Sequence, residues 1–324
     1  MSEFPYTPLN AAEKSIRILR IQMGYWRDDI VCFLVESYAS QEEGFGYNAL
    51  SYTWGGLEHT LDGVEHPPHI FLDWHKFEVG ENLYWAIQYI RRADKDVYLW
   101  VDAICINQED EQEKGHQVKQ MGEIYSAAEE VFIWLGPSND DIGVLMEWIT
   151  SIDVQATEAQ AIGNNEDWIS LCSRFMDVRP DKPSQISRSR QIGALTELLG
   201  RPWFNRVWIL QEVAKARTAK ILCGIFSCPA RTFAQMPSLM GLKITEHTQA
   251  VLDIMSRTRK NSWWSRKRYL HFLLIKFEKS HASVVRDKVY ASLGMSEDVG
   301  NPERFYPCYQ KTDNQVFRDT VCFL

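Results

Sequence analysis

The feature that most limits what this chain can fold into is a set of three short apolar runs separated by amphipathic spans. Ala49-Leu50-Ser51-Tyr52-Thr53-Trp54 stops at Gly55-Gly56, Val97 to Ile106 stops at Asn107, and Val131-Phe132-Ile133-Trp134-Leu135 stops at Gly136-Pro137. Each reads as a buried strand, and the almost continuous apolar character of Val97 to Ile106 predicts a strand covered on both faces by helices. Between the first two runs, Leu83, Ala86, Ile87 and Ile90 recur at helical spacing behind Asn82 as a cap. Between the second and third, Asn107 supplies a cap and Glu109-Asp110-Glu111 a favourable first-turn charge for a helix running to Glu130, with Val118, Met121, Ile124, Tyr125 and Ala128 on one face. Strand, helix, strand, helix, strand is the pattern of a parallel sheet built from crossover units, so an α/β core with flanking helices is predicted.

The flanks read differently. Alternation in Ser15 to Ile21 and the run Ile30 to Val35 predict two antiparallel strands turning at Gly24, a flap or edge formed by residues 1–46 and packed on the core. Leu57 to Val79, rich in His, Pro and Asp, reads as loop and hairpin. The core domain spans 47–225 and contains a helical insertion at 138–200, with helices near Ile142 to Ile149, Trp168 to Met176 and Ile192 to Leu199. A helix from Trp203 to Lys215, a strand at Ala219 to Gly224 and a mostly helical region at 226–324 complete the chain. Within that last region Arg286-Asp287-Lys288-Val289-Tyr290-Ala291-Ser292-Leu293 reads as a packing helix ended by Gly294.

A chain of 324 residues that is 45% hydrophobic and 12% aromatic can bury a large core. No stretch of about 18 apolar residues occurs, and Met1-Ser2-Glu3-Phe4-Pro5 lacks the basic and apolar parts of a signal peptide, which predicts a cytoplasmic protein without a membrane partner. The seven cysteines show no metal-ligand spacing, and Cys32, Cys105 and Cys223 sit in apolar runs where thiols act as small hydrophobes. A net charge of -8 argues against a general nucleic-acid binder. Arg257 to Arg268 is the local exception, mixing cations with Trp263 and Trp264. It reads either as a phosphate- and base-contacting patch or as a solvated segment whose tryptophans pack inward. Asp62, His66, His69 and His75 share one loop and read as surface groups rather than a metal site.

Ligands of open parallel α/β sheets bind outside the carboxyl ends of the strands. That rule selects Tyr52, Trp54 and Gly55 after the first strand, Asn107 and Gln108 after the second, Gly136 after the third, and the start of the Trp203 helix. In that helix Trp208 and Glu212 are four residues apart, so an aromatic plate and a carboxylate can line one cavity. The plainer reading makes Trp208 core and pairs Glu212 with Arg206 or Arg201. Asp102, an acid inside an apolar run, binds a ribose hydroxyl, orients the loop after the first strand, or is a satisfied structural aspartate.

Four segments, Tyr47 to Gly55, Leu99 to Gln108, Val131 to Gly136 and Arg201 to Glu212, in this order and joined by Arg286 to Gly294, resemble the fungal heterokaryon incompatibility domain over roughly residues 15 to 310. The element order with its Trp-x-x-x-Glu helix is also similar to Toll/interleukin-1 receptor (TIR) domains, from which the chain departs by its insertion before the helix and its long loop after Trp54. The resemblance implies a part in nonself recognition and programmed cell death. In TIR domains that cleave NAD, the glutamate of such a stretch is catalytic, and the matching position is Glu212. The implied site has Glu212 as the essential carboxylate, with Tyr52, Trp54, Gly55, Asp102, Asn107 and Trp208 around the substrate. NAD is then substrate rather than cofactor. The alternative is a noncatalytic module that self-associates or binds a protein partner.

Overall fold

The structure, a computed structural model, describes residues 4–10, 13–39, 45–55, 67–163, 166–176, 187–256, 263–299 and 305–324. Asp62, His66, Gly56 and Arg257 to Ser262, for which the sequence raises expectations, lie outside them. The strands are β1 Ser15–Ile21, β2 Val31–Tyr38, β3 Asn48–Ser51, β4 His69–Leu72, β5 His75–Glu78, β6 Val97–Trp100, β7 Val131–Trp134, β8 Ala219–Cys223 and β9 Phe226–Pro229. Among the described residues they form one sheet in the order β5-β4-β2-β1-β6-β3-β7-β8-β9.

The parallel sheet expected from the three apolar runs is its centre, with β6, β3, β7 and β8 pairing in parallel. Around that block the sheet is mixed. The β1–β2 pair expected as a flap or edge instead extends the sheet, because β1 also pairs antiparallel with β6. Burial explains the placement. Ile16, Ile18, Leu19 and Ile21 are all fully buried, too much apolar surface on both faces of one strand for an exposed margin. Arg17, also buried, is tied to Glu113 at 2.6 Å and to the Cys105 carbonyl at 3.1 Å, which joins β1 to the helix layer. The edge on this side is β5, a short strand with three of its four residues exposed.

The helices are α1 Glu81–Ile90, α2 Asp102–Cys105, α3 Glu111–Ala127, α4 Asp140–Ala161, α5 Trp168–Phe175, α6 Arg188–Leu199, α7 Ile209–Lys215, α8 Ala230–Phe233, α9 Met236–Met240, α10 Glu246–Ser256, α11 Leu270–Lys276, α12 Asp287–Leu293 and α13 Asp313–Phe323. Two expected caps are corrected. Gly80, not Asn82, precedes α1, and the Asn82 amide instead donates to the Thr53 carbonyl (2.8 Å) and accepts from Trp134 Nε1 (2.8 Å), fastening the end of β3 to β7. Asp110, not Asn107, caps α3, accepting from the amides of Gln112 (2.9 Å) and Glu113 (3.0 Å), and that helix stops at Ala127 rather than Glu130.

The second apolar run is also corrected. It is strand only to Trp100, after which α2 begins, because the Asp102 carboxylate accepts from the Ala103 amide at 2.8 Å and turns the backbone locally. The single helix expected from Trp203 to Lys215 is a 3₁₀ turn, Pro202–Asn205, followed by α7. Arg206 between them is extended, and the Val207 amide donates to the His281 carbonyl at 3.0 Å, so tertiary pairing interrupts the helical spacing.

Helices α4, α5 and α6 fill the expected insertion, and α8 to α13 the expected helical C-terminal region. Trp100, Trp134, Trp203 and Tyr125 are the largest fully buried side chains. Cys32, Cys105 and Cys223 are buried free thiols. Trp263 and Trp264 pack inward, Trp263 edge-on to Phe277 and Trp264 beneath the Arg268 guanidinium at 4.5 Å. Gly294, at the end of α12, touches the Gln211 amide so closely that any Cβ would collide with it, which brings α12 against α7. Among the described residues no helix is long and apolar enough to cross a membrane.

Candidate active site

The carboxyl ends of β3 and β6 open onto a cavity of about 380 Å³. Its core-side wall is Thr53 and Trp54 after β3, Asp102 and Gln108 after β6, Lys114 on α3, and Arg206 with Trp208 before α7. The opposite wall comes from the C-terminal region through His281, Asp287 and Tyr309. Gly55, which follows Trp54 in sequence, does not line the cavity; its φ of 104° is open to glycine with little cost. Trp54 is half exposed, and its indole donates to both Asp102 oxygens, at 3.2 and 3.1 Å. Asp102 thus lies on the cavity wall and holds Trp54 in the loop after β3. Burial raises its pKa, while the nearby Arg206 charge and its hydrogen bonds pull it back.

Glu212 lies behind this wall, not on it. It is 1% exposed and accepts from the Ser51 hydroxyl, which itself accepts from Trp203 Nε1 at 2.8 Å. Removal from water pushes its pKa up to about 7, with the Arg206 charge lowering it and Asp102 raising it again. The two carboxylates therefore sit in one electrostatic environment around Arg206, whose guanidinium donates to the Tyr52 carbonyl. Arg201, the other cation offered as partner, pairs instead with Glu197 at 2.8 Å.

The remaining expected site residues divide by depth. Tyr52 is 3% exposed and contributes its carbonyl to Arg206, with its ring in the core rather than on the cavity wall. Trp208, one turn before Glu212, lines the cavity and donates through Nε1 to Asp287 at 3.3 Å. Asn107 belongs to a different, acidic groove of about 800 Å³ beside Glu109, Asp110 and Glu111, where its side chain accepts from the Glu109 amide at 3.2 Å. Trp54, Asp102 and Trp208 are thus brought together on one cavity, with Glu212 and Tyr52 beneath it.

Sequence reasoning missed Ser51 and Trp203 as the buried network behind Glu212, and Asp287 and Tyr309 as wall residues. The sequence assigns Asp287 to packing. Its helix face does pack, but its carboxylate also reaches the cavity and accepts from Tyr309 at 2.9 Å. The available signal was an acid in the first turn of a helix whose later positions Val289, Tyr290, Ala291 and Leu293 are apolar, where burial makes a carboxylate costly unless it is satisfied.

What the site can do follows from its chemistry. Flat indoles at Trp54 and Trp208 offer stacking surfaces, cations at Arg206 and Lys114 suit anionic groups, and carboxylates at Asp102 and Asp287 suit donors or developing positive charge.

The chain is similar to the heterokaryon incompatibility protein 6, OR allele, of Neurospora crassa, with 26% identity over 243 residues. That match covers 68% of this chain but 35% of the relative, so the chain spans about a third of that protein's length. No solved structure matches. Residues 47–212, from the start of β3 to Glu212 and just over half of the chain, match the heterokaryon incompatibility protein (HET) family, and the chain belongs to it.

Proposed function

We propose that this chain is a signalling module of fungal nonself recognition and programmed cell death that cleaves NAD at the nicotinamide–ribose bond. The observation that carries the reading is the stacking of a buried, weakly acidic Glu212 directly behind a nucleotide-sized cavity walled by Trp54, Asp102 and Trp208 at the strand carboxyl ends. A TIR-like arrangement is supported by the central strand order β6-β3-β7-β8, with the α7 glutamate in the connection between β7 and β8.

In the reaction the C1′–N bond breaks, its electron pair returns to the pyridinium nitrogen and neutral nicotinamide leaves. Water then adds to C1′ and gives up a proton. The oxocarbenium-like centre between these events is stabilised by a fixed carboxylate in a water-poor site, and ionised Glu212 has that role. Asp102 binds a ribose hydroxyl, Trp54 and Trp208 hold flat rings, and Arg206 with Lys114 receives the phosphates. The junction at Arg206 to Trp208, where helical hydrogen bonding is interrupted, is the place that must open for Glu212 to face substrate.

The burial of Glu212 under Ser51 favours a second reading, in which Glu212 is a structural acid and the module acts by self-association or by binding a protein partner. Nicotinamide release from NAD by purified protein, free and clustered on a scaffold, separates the two. Release that disappears in Glu212→Gln supports hydrolysis. Its absence from folded protein in both states supports the binding module.

A further inference from the structure

The wall supplied by the C-terminal region lies outside the family-matched segment and contains a carboxylate with unused bonding capacity. Asp287 opens α12, is 8% exposed and lines the cavity. Each of its oxygens accepts one internal bond, Oδ2 from Trp208 Nε1 at 3.3 Å and Oδ1 from the Tyr309 hydroxyl at 2.9 Å. An ionised carboxylate offers about four lone-pair positions, so each oxygen retains about one acceptor direction. Two donors from distant parts of the chain fix the orientation of the group, and neither is a cation that would saturate it. The Lys114 ammonium lies instead over the Tyr309 ring, 5.2 Å from its centroid.

An acceptor held in this way beside a flat indole reads the edge of a flat ring. We propose that Asp287 is a specificity-determining residue that accepts a hydrogen bond from a ring-borne –NH₂ group, the carboxamide of nicotinamide or the exocyclic amine of adenine. The inference rests on the nucleotide reading above. It extends the site beyond residues 47–212 and gives α12 a role besides packing. A ligand that presents an oxygen acceptor in place of the –NH₂ meets a buried carboxylate and leaves both acceptors unpaired, which is strongly disfavoured. Tyr309 is a positioning residue, since it acts through Asp287, whereas Trp208 both orients Asp287 and lines the cavity itself.

The test uses the full chain and calorimetric titration with four probes in two pairs. Nicotinamide mononucleotide is set against nicotinic acid mononucleotide, and adenosine monophosphate against inosine monophosphate. The wild-type protein is expected to prefer the –NH₂ member of one pair by about tenfold or more, and the pair that discriminates identifies which ring meets Asp287. Asp287→Asn, which places a donor where an acceptor stood, is expected to abolish or invert that preference. Tyr309→Phe keeps the preference while weakening binding a few-fold. A merely structural Asp287 would weaken all four probes together and leave their ratios unchanged, and that result overturns the proposal. So does the failure of folded wild-type protein to bind any of the four. If Asp287→Asn does not fold, the carbon-13 NMR signal of the Asp287 carboxyl in wild-type protein replaces it. That signal moves on adding the –NH₂ probe and not its counterpart, and an unmoved signal refutes the assignment. Discrimination through Asp287 without nicotinamide release refutes hydrolysis and leaves this inference standing. Release without such discrimination does the reverse.

Discussion

Two buried carboxylates of the same neighbourhood, Glu212 behind one wall of the cavity and Asp287 on the other wall, are held in contrasting ways. Glu212 sits in the sheet half, sealed beneath Ser51 and Trp203 and close to the Arg206 charge. Asp287 sits in the helical half, on the cavity surface, fixed by an indole and a phenol. Burial raises the pKa of both, and for each it is the largest cause. The difference lies in access, because one acid is stored behind the wall while the other is part of it. A site of this kind separates recognition, which needs an exposed acceptor, from charge stabilisation, which gains most in the driest position.

The sealed compartment breaks most severely when its lid is removed. Trp203→Ala deletes a fully buried indole and the donor that holds Ser51, and is expected to cost about 3–5 kcal/mol of stability, measured by urea unfolding. Loss below about 1 kcal/mol would show that the compartment is loosely packed.

Next in size is the acid itself. With its pKa raised from 4.5 to about 7, Glu212 contributes stability fully below its unfolded pKa, and that contribution is lost as pH rises through about 7. Glu212→Gln removes this dependence, so the variant gains on wild type by on the order of 3 kcal/mol between about pH 4 and pH 8, read as the difference between two stability–pH curves. Parallel curves would show that folding leaves the Glu212 pKa unshifted.

A smaller effect sharpens the contrast. Ser51→Ala removes the hydroxyl that favours the charged form, so the Glu212 midpoint moves further up and stability above it falls by about 1–3 kcal/mol, followed by carbon-13 NMR of the glutamate carboxyl. Smallest of all is Trp54→Phe on the open wall. The indole is half exposed and its loss should change stability by less than about 0.5 kcal/mol, while measurably weakening nucleotide binding. A large stability loss there would place Trp54 in the core rather than at a site.

Much of this contrast could be read in the sequence where period and stops were strong. The β3 and β7 runs carry their own stops at Gly55 and Gly136, and the α7 carboxylate stands out among apolar neighbours, whereas the apolar run from Val97 to Ile106 outlasts its strand, which ends at Trp100. What was hidden depended on long-range pairing. Nothing local distinguishes β1 as an interior strand, since its pairing with β6 joins segments about eighty residues apart. Nothing local predicts the break at Arg206 either, because its cause is the distant His281 backbone. Asn82 and Asn107 look like caps by residue type, yet tertiary bonds and a better-placed Asp110 take over. The depth of Glu212 and the second wall at Asp287 depend on how the C-terminal helices fold back, which spacing within α7 or α12 does not encode.

The most direct test of the account is nicotinamide release from NAD by scaffold-clustered protein as a function of pH, with Glu212→Gln measured in parallel. Because the ionised carboxylate is the stabilising form, release by the wild type should rise as pH passes through about 7 and be absent from the variant at every pH. Release that is indifferent to pH in this range, or that persists in Glu212→Gln, would contradict the account and leave Glu212 a structural acid.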